Sequence, residues 1–463
     1  MKIKLFSIFL IFLCSCNLFS QIYLNTPNDA VNLGLENAEE YKLEKLSVLT
    51  GIKLAKYSIA DFLPSFSLGL TESDGRKYDA SDSRTKSLQF GITQTVFNGG
   101  KSKLSYDMSK LSASFQYSLY EQDVKSFSVN IIKNYFDYVT QREKLKVKSN
   151  LLSNAQEQLN ITKAEYEHGL ILESDYLEYE ISVMQIKNEV KQLERDINTL
   201  LRSFKVLLGL PLEANLVINS DNKIEDEKDF FLEPYTNFLL AIALNSNLEL
   251  NQQKISLDYS KKQLAYNKRF YLPTVTLEGN VSFSGEQYPL TEPNYSIKLG
   301  INFSELPFLP INFSESYGFN NNGFNNISNV ANASLKPDFT YPISNVNSDL
   351  SIKKSMLDYK MKIQSLKEDV ISKISLHDDY LDSIKIIRET LNLHEKRLVV
   401  CKAEVNKGER KRLDYLEDLE EYAEELIKLT IAQNNLISSW YELELLTNIP
   451  LGELKNVCSS SKI

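Results

Sequence analysis

Four segments of the chain alternate between apolar and polar side chains over roughly ten residues each: 65–71, 87–96, 274–283 and 296–304. Such alternation is typical of a strand with one apolar face, and about 9–11 residues are enough for a tilted strand to cross a bilayer. We therefore predict two strand hairpins, each closed by a polar loop. A soluble antiparallel sheet with one hydrated face gives the same pattern, so both alternatives stay open at this point.

Long stretches without proline or glycine separate the strand pairs. As helices, residues 101–168 would reach about 100 Å and residues 348–407 about 90 Å, at 1.5 Å per residue. Each stretch is followed by a glycine, Gly169 or Gly408, which we interpret as the C′ residue where the chain reverses into a second helix. The returning helices show the heptad spacing of a coiled coil, at Val183, Ile186, Val190, Leu193, Ile197, Leu200, Phe204 and Leu207, and again at Leu419, Tyr422, Leu426, Leu429, Gln433, Leu436, Trp440 and Leu443.

The chain contains these elements twice. Leu63-Pro64 recurs as Leu272-Pro273 at an offset of 209, and Asp175-Tyr176 recurs as Asp414-Tyr415 at an offset of 239. The change of offset locates an insertion of 30 residues within 307–345. This insertion is rich in Asn and Gly, which predicts a mobile loop.

The duplication divides the chain into two structural repeats, 27–212 and 234–451, joined by a polar connector at 213–233 and followed by a polar tail at 452–463. Thr26 and Pro27 fit the N-cap and first position of a helix that runs to about Asp61. Each repeat then continues with a β-hairpin and a helical hairpin, at 63–97 and 101–208 in the first, and at 272–306 and 348–447 in the second.

The N-terminus has the pattern of an export signal. Lys2 and Lys4 precede an apolar run at 5–13, which is too short to span a bilayer. Residues 13–16 resemble a lipobox, which would make 1–15 a lipoprotein signal and leave a lipidated Cys16. Ordinary cleavage near Ser20 would instead remove 1–20 as a signal peptide. Both alternatives predict an exported protein.

Composition excludes several functional classes. The net charge of −9 offers no electrostatic basis for nucleic-acid binding. Beyond the signal region Cys401 and Cys458 are too few for a disulfide framework, and the three histidines, His168, His377 and His394, lie apart from one another. No phosphate-binding glycine loop, zinc helix or nucleophile elbow occurs. We therefore expect no enzymatic activity and no catalytic, cofactor or metal site.

If the four predicted strands cross a membrane, one copy of the chain is not enough. The smallest membrane barrels use about eight strands, and an open sheet edge in lipid leaves backbone groups unpaired at a cost of several kcal/mol each. Several copies must then share one barrel, so the protein would be an oligomer. Barrels of this kind belong to the outer membrane of diderm bacteria, in agreement with the export signal.

The order of these motifs resembles the TolC-like outer-membrane efflux protein family over residues 27–451. The most specific pieces are Val-Phe-Asn-Gly-Gly-Lys at 96–101, Tyr-x-x-Gly at 166–169 and the duplicated architecture. The resemblance implies a mixed α/β membrane protein, mostly α. In a homotrimer, a shared transmembrane β-barrel with four strands per chain, twelve in all, would continue as a long periplasmic α-helical coiled-coil barrel. It also implies a passive conduit in outer-membrane lipid, served by a periplasmic adaptor and an inner-membrane pump.

The resemblance further implies that the turns at 166–175 and 405–414 form the periplasmic entrance and the adaptor contact, through Tyr166, His168, Gly169, Asp175, Lys407, Gly408 and Asp414. Family members typically narrow the entrance with acidic side chains or with contacts at the tips. The nearest acidic candidates are Glu165, Glu167, Glu173, Asp175, Glu404 and Asp414. The second repeat departs from the family pattern, because residues 341–347 stand where the first repeat has Gly-Gly. Its tip is also more basic than the first.

Two functional hypotheses follow. The first is the exit duct of a tripartite efflux system for drugs or metals, or of a type I secretion system. The second is an envelope-tethered coiled-coil scaffold without channel activity. Paired alternating strands at matching places in both repeats favour the duct, because a scaffold does not need them. The polar strand positions, such as Ser67, Gln89, Thr276 and Asn302, do not identify a cargo.

Overall fold

The computed structural model describes residues 21–77, 80–218, 231–320, 323–335 and 337–460. The predicted export signal, Cys16 and the middle of the predicted connector lie outside these residues. Among the helices of the described ranges, none is both long and apolar enough to span a membrane.

The first repeat starts at a capped helix, as predicted. The Thr26 hydroxyl accepts a hydrogen bond from the Asp29 backbone N–H at 3.2 Å, and the Asp29 carboxylate accepts one from the Thr26 N–H at 2.9 Å, which is a reciprocal capping box. The elements are β1 (Ile22–Leu24), α1 (Pro27–Asn37), α2 (Glu39–Tyr57), a 3-10 turn (Ser58–Phe62), β2 (Ser65–Lys77), β3 (Ala80–Phe97), α3 (Lys101–Glu167), α4 (Glu173–Leu207) and β4 (Leu216–Ile218).

The second repeat follows the same order and adds two strands. Its elements are a 3-10 turn (Glu233–Tyr235), α5 (Thr236–Ser246), α6 (Leu248–Asn267), a 3-10 turn (Lys268–Tyr271), β5 (Thr274–Gly285), β6 (Glu292–Phe303), β7 (Ile311–Asn320), β8 (Gly323–Ala333), α7 (Thr340–Asn406), α8 (Arg412–Thr447) and α9 (Leu454–Ser460). The long helices α3 and α7 both have 67 residues. The duplicated architecture predicted from the sequence is therefore present.

The leading helix of each repeat is broken, whereas the sequence predicted one continuous helix up to about Asp61. α1 leaves the helical conformation at Ala38, where ψ is 91°. The Asn37 side chain donates a hydrogen bond to the Leu208 carbonyl at 3.2 Å. At the break between α5 and α6 in the second repeat, Asn247 donates to the Leu446 carbonyl at 2.8 Å. Both breaks thus satisfy a carbonyl at the end of a returning helix.

One compact unit comprises the described parts of 1–43, 121–247 and 365–463. Its largest core surrounds Tyr135, Phe204 and Leu208, all fully buried. In the same unit β1 pairs with β4 in parallel. The first coiled-coil seam is confirmed from Val183 to Ile197, where its positions are buried. The seam of α8 is confirmed at Leu436, Trp440 and Leu443, which are buried. Its first half is shifted, with Leu416, Ala423 and Ile427 buried in place of Leu419, Tyr422 and Leu426, because α8 packs against both α4 and α7 residues.

The other compact unit comprises the described parts of 44–120 and 248–364. Its centre is an antiparallel sheet of six strands in the order β2-β3-β5-β6-β7-β8. The sheet therefore has two strands more than the four predicted, and the prediction of a mobile loop in the insertion is wrong. Apart from Glu315, residues 311–319 alternate between Ile, Phe, Tyr and Phe on one side and Asn, Ser and Gly on the other, so the Asn and Gly that suggested a loop form the polar face of a hairpin.

Candidate functional site

One face of the six-stranded sheet is dominated by large apolar side chains. Cross-strand partners on this face include Leu68 with Phe90, Phe90 with Val281, and Val281 with Tyr295. Large side chains on this face are exposed: Phe66 is 79% accessible and Leu68 70%. A monomeric soluble protein rarely exposes so large an apolar surface. The face is therefore built to be covered by something outside the chain.

The opposite face of the same strands is small and polar. Its cross-strand pairs include Ser67 with Gly91, Gln89 with Ser282, and Asn280 with Ser296. Glu278 and Lys298 are partners on this face and form an ion pair at 3.3 Å. One apolar and one polar face over strands of ten residues or more is the arrangement of a barrel wall between lipid and an aqueous lumen.

The strand-to-helix junction of the first repeat explains its two glycines. Gly99 and Gly100 adopt φ of +68° and +74°, a region that residues with a Cβ avoid. A Cβ on Gly99 would stand 2.9 Å from the side chain of Leu272, and the Gly99 carbonyl accepts a hydrogen bond from Arg269 at 2.6 Å. The second repeat has β7 and β8 at this place and thus does not make this turn.

The two helical hairpins turn in the same way, as the sequence predicted. Gly169 and Gly408 have φ of +70° and +77°. In the first turn the Gly169 N–H donates to the Tyr166 carbonyl and the Leu170 N–H to the Glu165 carbonyl, both at 2.8 Å; the second turn repeats this pattern at 3.0 Å. This is the Schellman motif, which satisfies the last carbonyls of a helix.

The basic residues of the second turn bind acidic residues of the first hairpin. Arg412 donates two hydrogen bonds to the Glu165 carboxylate, at 2.7 and 2.9 Å, and a third to Gln158 at 2.9 Å. The hydrogen bonds from Arg412 hold the pKa of Glu165 below its ordinary value. Lys411 binds Asp175 at 3.0 Å. A bidentate arginine–carboxylate pair fixes geometry as well as charge, so the two tips are held together.

A second cluster of charges lies inside the second hairpin. Asp418 is almost fully buried and forms ion pairs with Arg397 and, at 3.5 Å, with Arg410. Arg410 also lies 3.3 Å from Asp414 and 3.8 Å from Glu404. The neighbouring thiol of Cys401 is buried, and burial, followed by its hydrogen bond to Asp418, raises its pKa to about 11. This cluster braces the turn and holds the Cys401 thiol in its protonated form.

The first tip presents apolar side chains instead. Leu170 and Leu172 are 74% and 70% accessible. In the same turn the rings of Tyr166 and Tyr176 stack, with centroids 5.3 Å apart and planes 7° apart. The exposed leucines give this tip an apolar surface that a partner protein can cover.

The predicted site residues are thus sorted into two groups. One group forms ion pairs with basic residues of the second tip: Glu165, Asp175, Glu404 and Asp414. The other group is exposed: Glu167, Glu173, His168 and Lys407. Sequence reasoning missed the partners Arg410, Lys411, Arg412 and Asp418. The only signal for them was the basic character of the second tip, which does not reveal that its charges are satisfied within the chain.

Residues 53–210 match the model of the outer membrane efflux protein family. No curated protein sequence matches the chain. Among the described residues, no group of His, Cys, Asp and Glu is arranged to hold a metal ion.

Several solved structures have the same fold. The Campylobacter jejuni CmeC outer membrane channel aligns with a TM-score of 0.74 and 14% identity, over 94% of this chain and 89% of that one. The Vibrio cholerae outer membrane protein VceC aligns with a TM-score of 0.70 and 10% identity, over 91% of this chain and 94% of that one. The open state of the Neisseria gonorrhoeae MtrE outer membrane channel aligns with a TM-score of 0.71 and 12% identity, over 91% of this chain and 88% of that one. The predicted fold class is confirmed, apart from the number of strands.

Proposed function

We propose that this chain, a TolC-like outer-membrane efflux protein by its family match and its fold, is the passive exit duct of a tripartite export system in the outer membrane. The observation that carries the proposal is the sheet with one apolar and one polar face. The apolar face meets outer-membrane lipid and the polar face lines the passage. The helical hairpins form the periplasmic part of the duct.

The duct is a homotrimer. One six-stranded sheet is too small to close by itself, since the smallest membrane barrels have about eight strands. An unclosed edge in lipid would leave a row of backbone N–H and C=O groups without partners. Sharing one barrel among copies satisfies these groups.

The hairpin tips are the periplasmic entrance. Tyr166, Gly169 and the exposed leucines of the first tip support an apolar contact with a periplasmic adaptor. The ion pairs of Arg412 and Lys411 hold the two tips of one chain together. An inner-membrane pump supplies the energy, because the duct itself is passive.

The first test is the mass of the protein extracted from membranes in mild detergent, corrected for bound detergent. We expect three chain masses, found in the outer-membrane fraction. A monomer or dimer that stays soluble without detergent would exclude the shared barrel and favour a coiled-coil scaffold.

A matched pair of variants tests which face meets lipid. Gln89 and Phe90 are neighbours on β3 with side chains on opposite faces. Phe90→Arg places a charge on the lipid face, which costs about 2–4 kcal/mol near the membrane centre, so we expect little assembled trimer. Gln89→Arg faces the lumen and should assemble normally. Equal assembly of both variants would exclude this orientation.

The class of cargo is the second question. We expect a strain without this chain to become sensitive to dyes, detergents or metal ions if the duct serves efflux. If it serves type I secretion, the same strain should retain an exported protein instead, and its sensitivity should be unchanged.

A further inference from the structure

The hairpin β7–β8 occupies the edge of the sheet that a four-stranded chain would offer to its neighbour. β6 pairs with β5 on one side and with β7 on the other, the latter over ten residue pairs from Asn294–Asn320 to Phe303–Ile311. β7 in turn pairs with β8 from Ile311–Ala333 to Asn320–Gly323. The edge of β6 is therefore covered by the same chain.

The added hairpin is as tall as a barrel wall. β7 has 10 residues and β8 has 11, and about 9–11 residues are what a tilted strand needs to cross a bilayer. Its lower end is level with that of β6, because Phe303, Ile311 and Ala333 lie in one cross-strand row. The hairpin is thus an extension of the sheet rather than a loop above it.

The two faces of the sheet continue through the added hairpin. On the apolar face Ile301 pairs with Phe313, Ile297 with Tyr317, and Tyr317 with Ile327. On the polar face Asn302 pairs with Asn312, and Ser316 with Ser328. A hairpin that stood apart from the membrane would not need to continue both faces in register.

Glu315 is the exception on the apolar face of β7. Its carboxylate accepts a hydrogen bond at 2.7 Å from the hydroxyl of Tyr317, two residues along the same face. Asn329 is its cross-strand partner on β8. These polar neighbours lower the cost of a carboxylate on this face, and acidic residues are also the less costly charges at a lipid-facing position.

We infer that each chain contributes six strands to the barrel, and that copies join through antiparallel pairing of β8 with β2 of the next copy. Within the described residues, β2 and β8 are the two end strands of the sheet. Since neighbouring strands alternate in direction and their number is even, β8 runs opposite to β2, and a head-to-tail ring closes without a parallel pair. This inference rests on the proposed trimer.

The consequence is a wider barrel than the family resemblance implies. Three copies of a six-stranded sheet supply eighteen strands instead of twelve. Because barrel diameter grows about linearly with the number of strands, the barrel is about 1.5-fold wider than one of twelve. The hairpin thus sets the width of the outer-membrane passage.

Cross-linking between copies tests this inference. Ser67→Cys on the polar face of β2 is combined in turn with Asn326→Cys, Ser328→Cys or Asn332→Cys on β8, which covers different registers. Within one chain β2 and β8 are five strand spacings apart, about 24 Å, so a short bifunctional thiol reagent reaches only between copies. We expect covalent trimers on denaturing gels from at least one of these pairs.

A matched series on β6 is the control. Ser67→Cys is combined with Asn294→Cys, Ser296→Cys or Asn302→Cys. We expect at least about tenfold less cross-linking than in the β8 series. The reason is that β6 lies about 14 Å from β2 of its own chain and that β7 covers the edge that β6 would offer to another copy. The native thiols Cys401 and Cys458 are buried, and burial raises the pKa of each to about 11, so they contribute little background.

Each outcome decides one question. Cross-linking of β2 to β6 would place the added hairpin outside the wall and overturn the inference, while the trimeric duct would stand. A protein with the mass of three chains and no cross-link in either series would also overturn it. A monomeric protein without cross-links would overturn the proposed function as well.

Discussion

The two hairpin tips have the same backbone and opposite surfaces. Gly169 and Gly408 take the same left-handed conformation and are followed by the same pair of hydrogen bonds. The first tip exposes Leu170 and Leu172, whereas the second carries Glu, Arg and Lys at 409–411. Duplication therefore preserved the geometry of the turn, and the side chains diverged around it.

The difference indicates a division of roles. The basic residues of the second tip form ion pairs within the chain, since Lys411 and Arg412 bind Asp175 and Glu165 of the first hairpin. The first tip leaves its leucines accessible, so it is the tip that offers apolar surface to a partner. Each of the following variants changes one side of this comparison.

The largest effect should come from the leucines of the first tip. In Leu170→Ser/Leu172→Ser we expect adaptor binding to fall tenfold or more, because each leucine contributes about 1.5–3 kcal/mol when fully buried and about 1.4 kcal/mol is a factor of ten. Binding is measured with purified trimer and adaptor. Glu409→Ser at the second tip is the matched control and should bind as the native chain does. Equal losses in both would contradict the division of roles.

Arg412→Ala should loosen the contact between the tips. The variant loses the bidentate pair with Glu165 and the hydrogen bond to Gln158. We expect the amides at 166–172 to lose about 1–2 kcal/mol of protection in hydrogen exchange. This lies at or below the lower end of the range for hydrogen bonds to charged groups, because both partners are partly accessible to solvent. Arg412→Lys keeps the charge but not the planar guanidinium group, so its loss of amide protection should lie between that of the native chain and that of Arg412→Ala. Unchanged exchange in Arg412→Ala would show that the pair does not hold the tips.

Glycine variants test whether the two turns are equivalent. A Cβ at Gly169 or Gly408 would meet nothing within 4 Å, so the cost of Gly→Ala is that of the left-handed backbone alone, about 1–2 kcal/mol. We expect equal losses of stability for the two variants in thermal unfolding of the trimer. Gly51→Ala, inside a helix and equally unobstructed, should be neutral or stabilising. Unequal losses at the tips would mean that their backbones differ.

Acid should weaken the contact between the tips through Glu165. Its pKa is lowered in the folded state by Arg412, so the carboxylate contributes stability that is fully present above its unfolded pKa and is lost as the pH falls through the lowered folded value. Once the intrinsic pH dependence of amide exchange is corrected for, the protection of the amides at 166–172 should therefore be constant near neutral pH and fall only below about pH 4. In Arg412→Ala this acid dependence should be smaller. The same acid dependence in both proteins would assign it to another group.

The smallest effect is expected at Lys411. Its ion pair with Asp175 is exposed, with 66% of the lysine side chain accessible, and exposed pairs contribute little because solvent screens them. Lys411→Ala should leave hydrogen exchange at the tips within experimental error of the native chain. A loss as large as that of Arg412→Ala would show that charge alone, without the bidentate geometry, holds the tips together.

Local patterns identified most of the elements. Gly169 and Gly408 follow long stretches without Pro or Gly, at 101–168 and 348–407, and both take the C′ conformation that this position predicts. Alternation located β2, β3, β5 and β6, and heptad spacing located the buried face of α4. These predictions succeed because each depends on residues within a few turns or one strand.

The strands β7 and β8 were not predicted, because the Asn- and Gly-rich composition of this segment was given more weight than its alternation of apolar and polar residues. Phe313, Tyr317 and Phe319 alternate with small polar residues, yet the abundance of Asn and Gly favoured a loop. Only pairing with β6 distinguishes the two, and that pairing joins residues 294–303 to 311–320. In the same way, nothing near Arg412 in the sequence indicates Glu165, which lies 247 positions away.

The sequence by itself determined the duplication, the helical hairpins with their glycine turns, and the two-faced strands, because each is a matter of local period and backbone preference. The tertiary structure alone decided that the sheet has six strands, that among the described residues it ends at β2 and β8, and that basic residues of the second tip pair with acidic residues of the first hairpin. The physical reason is that strand pairing and ion pairs between hairpins depend on distances between residues far apart in the chain, which no local pattern records.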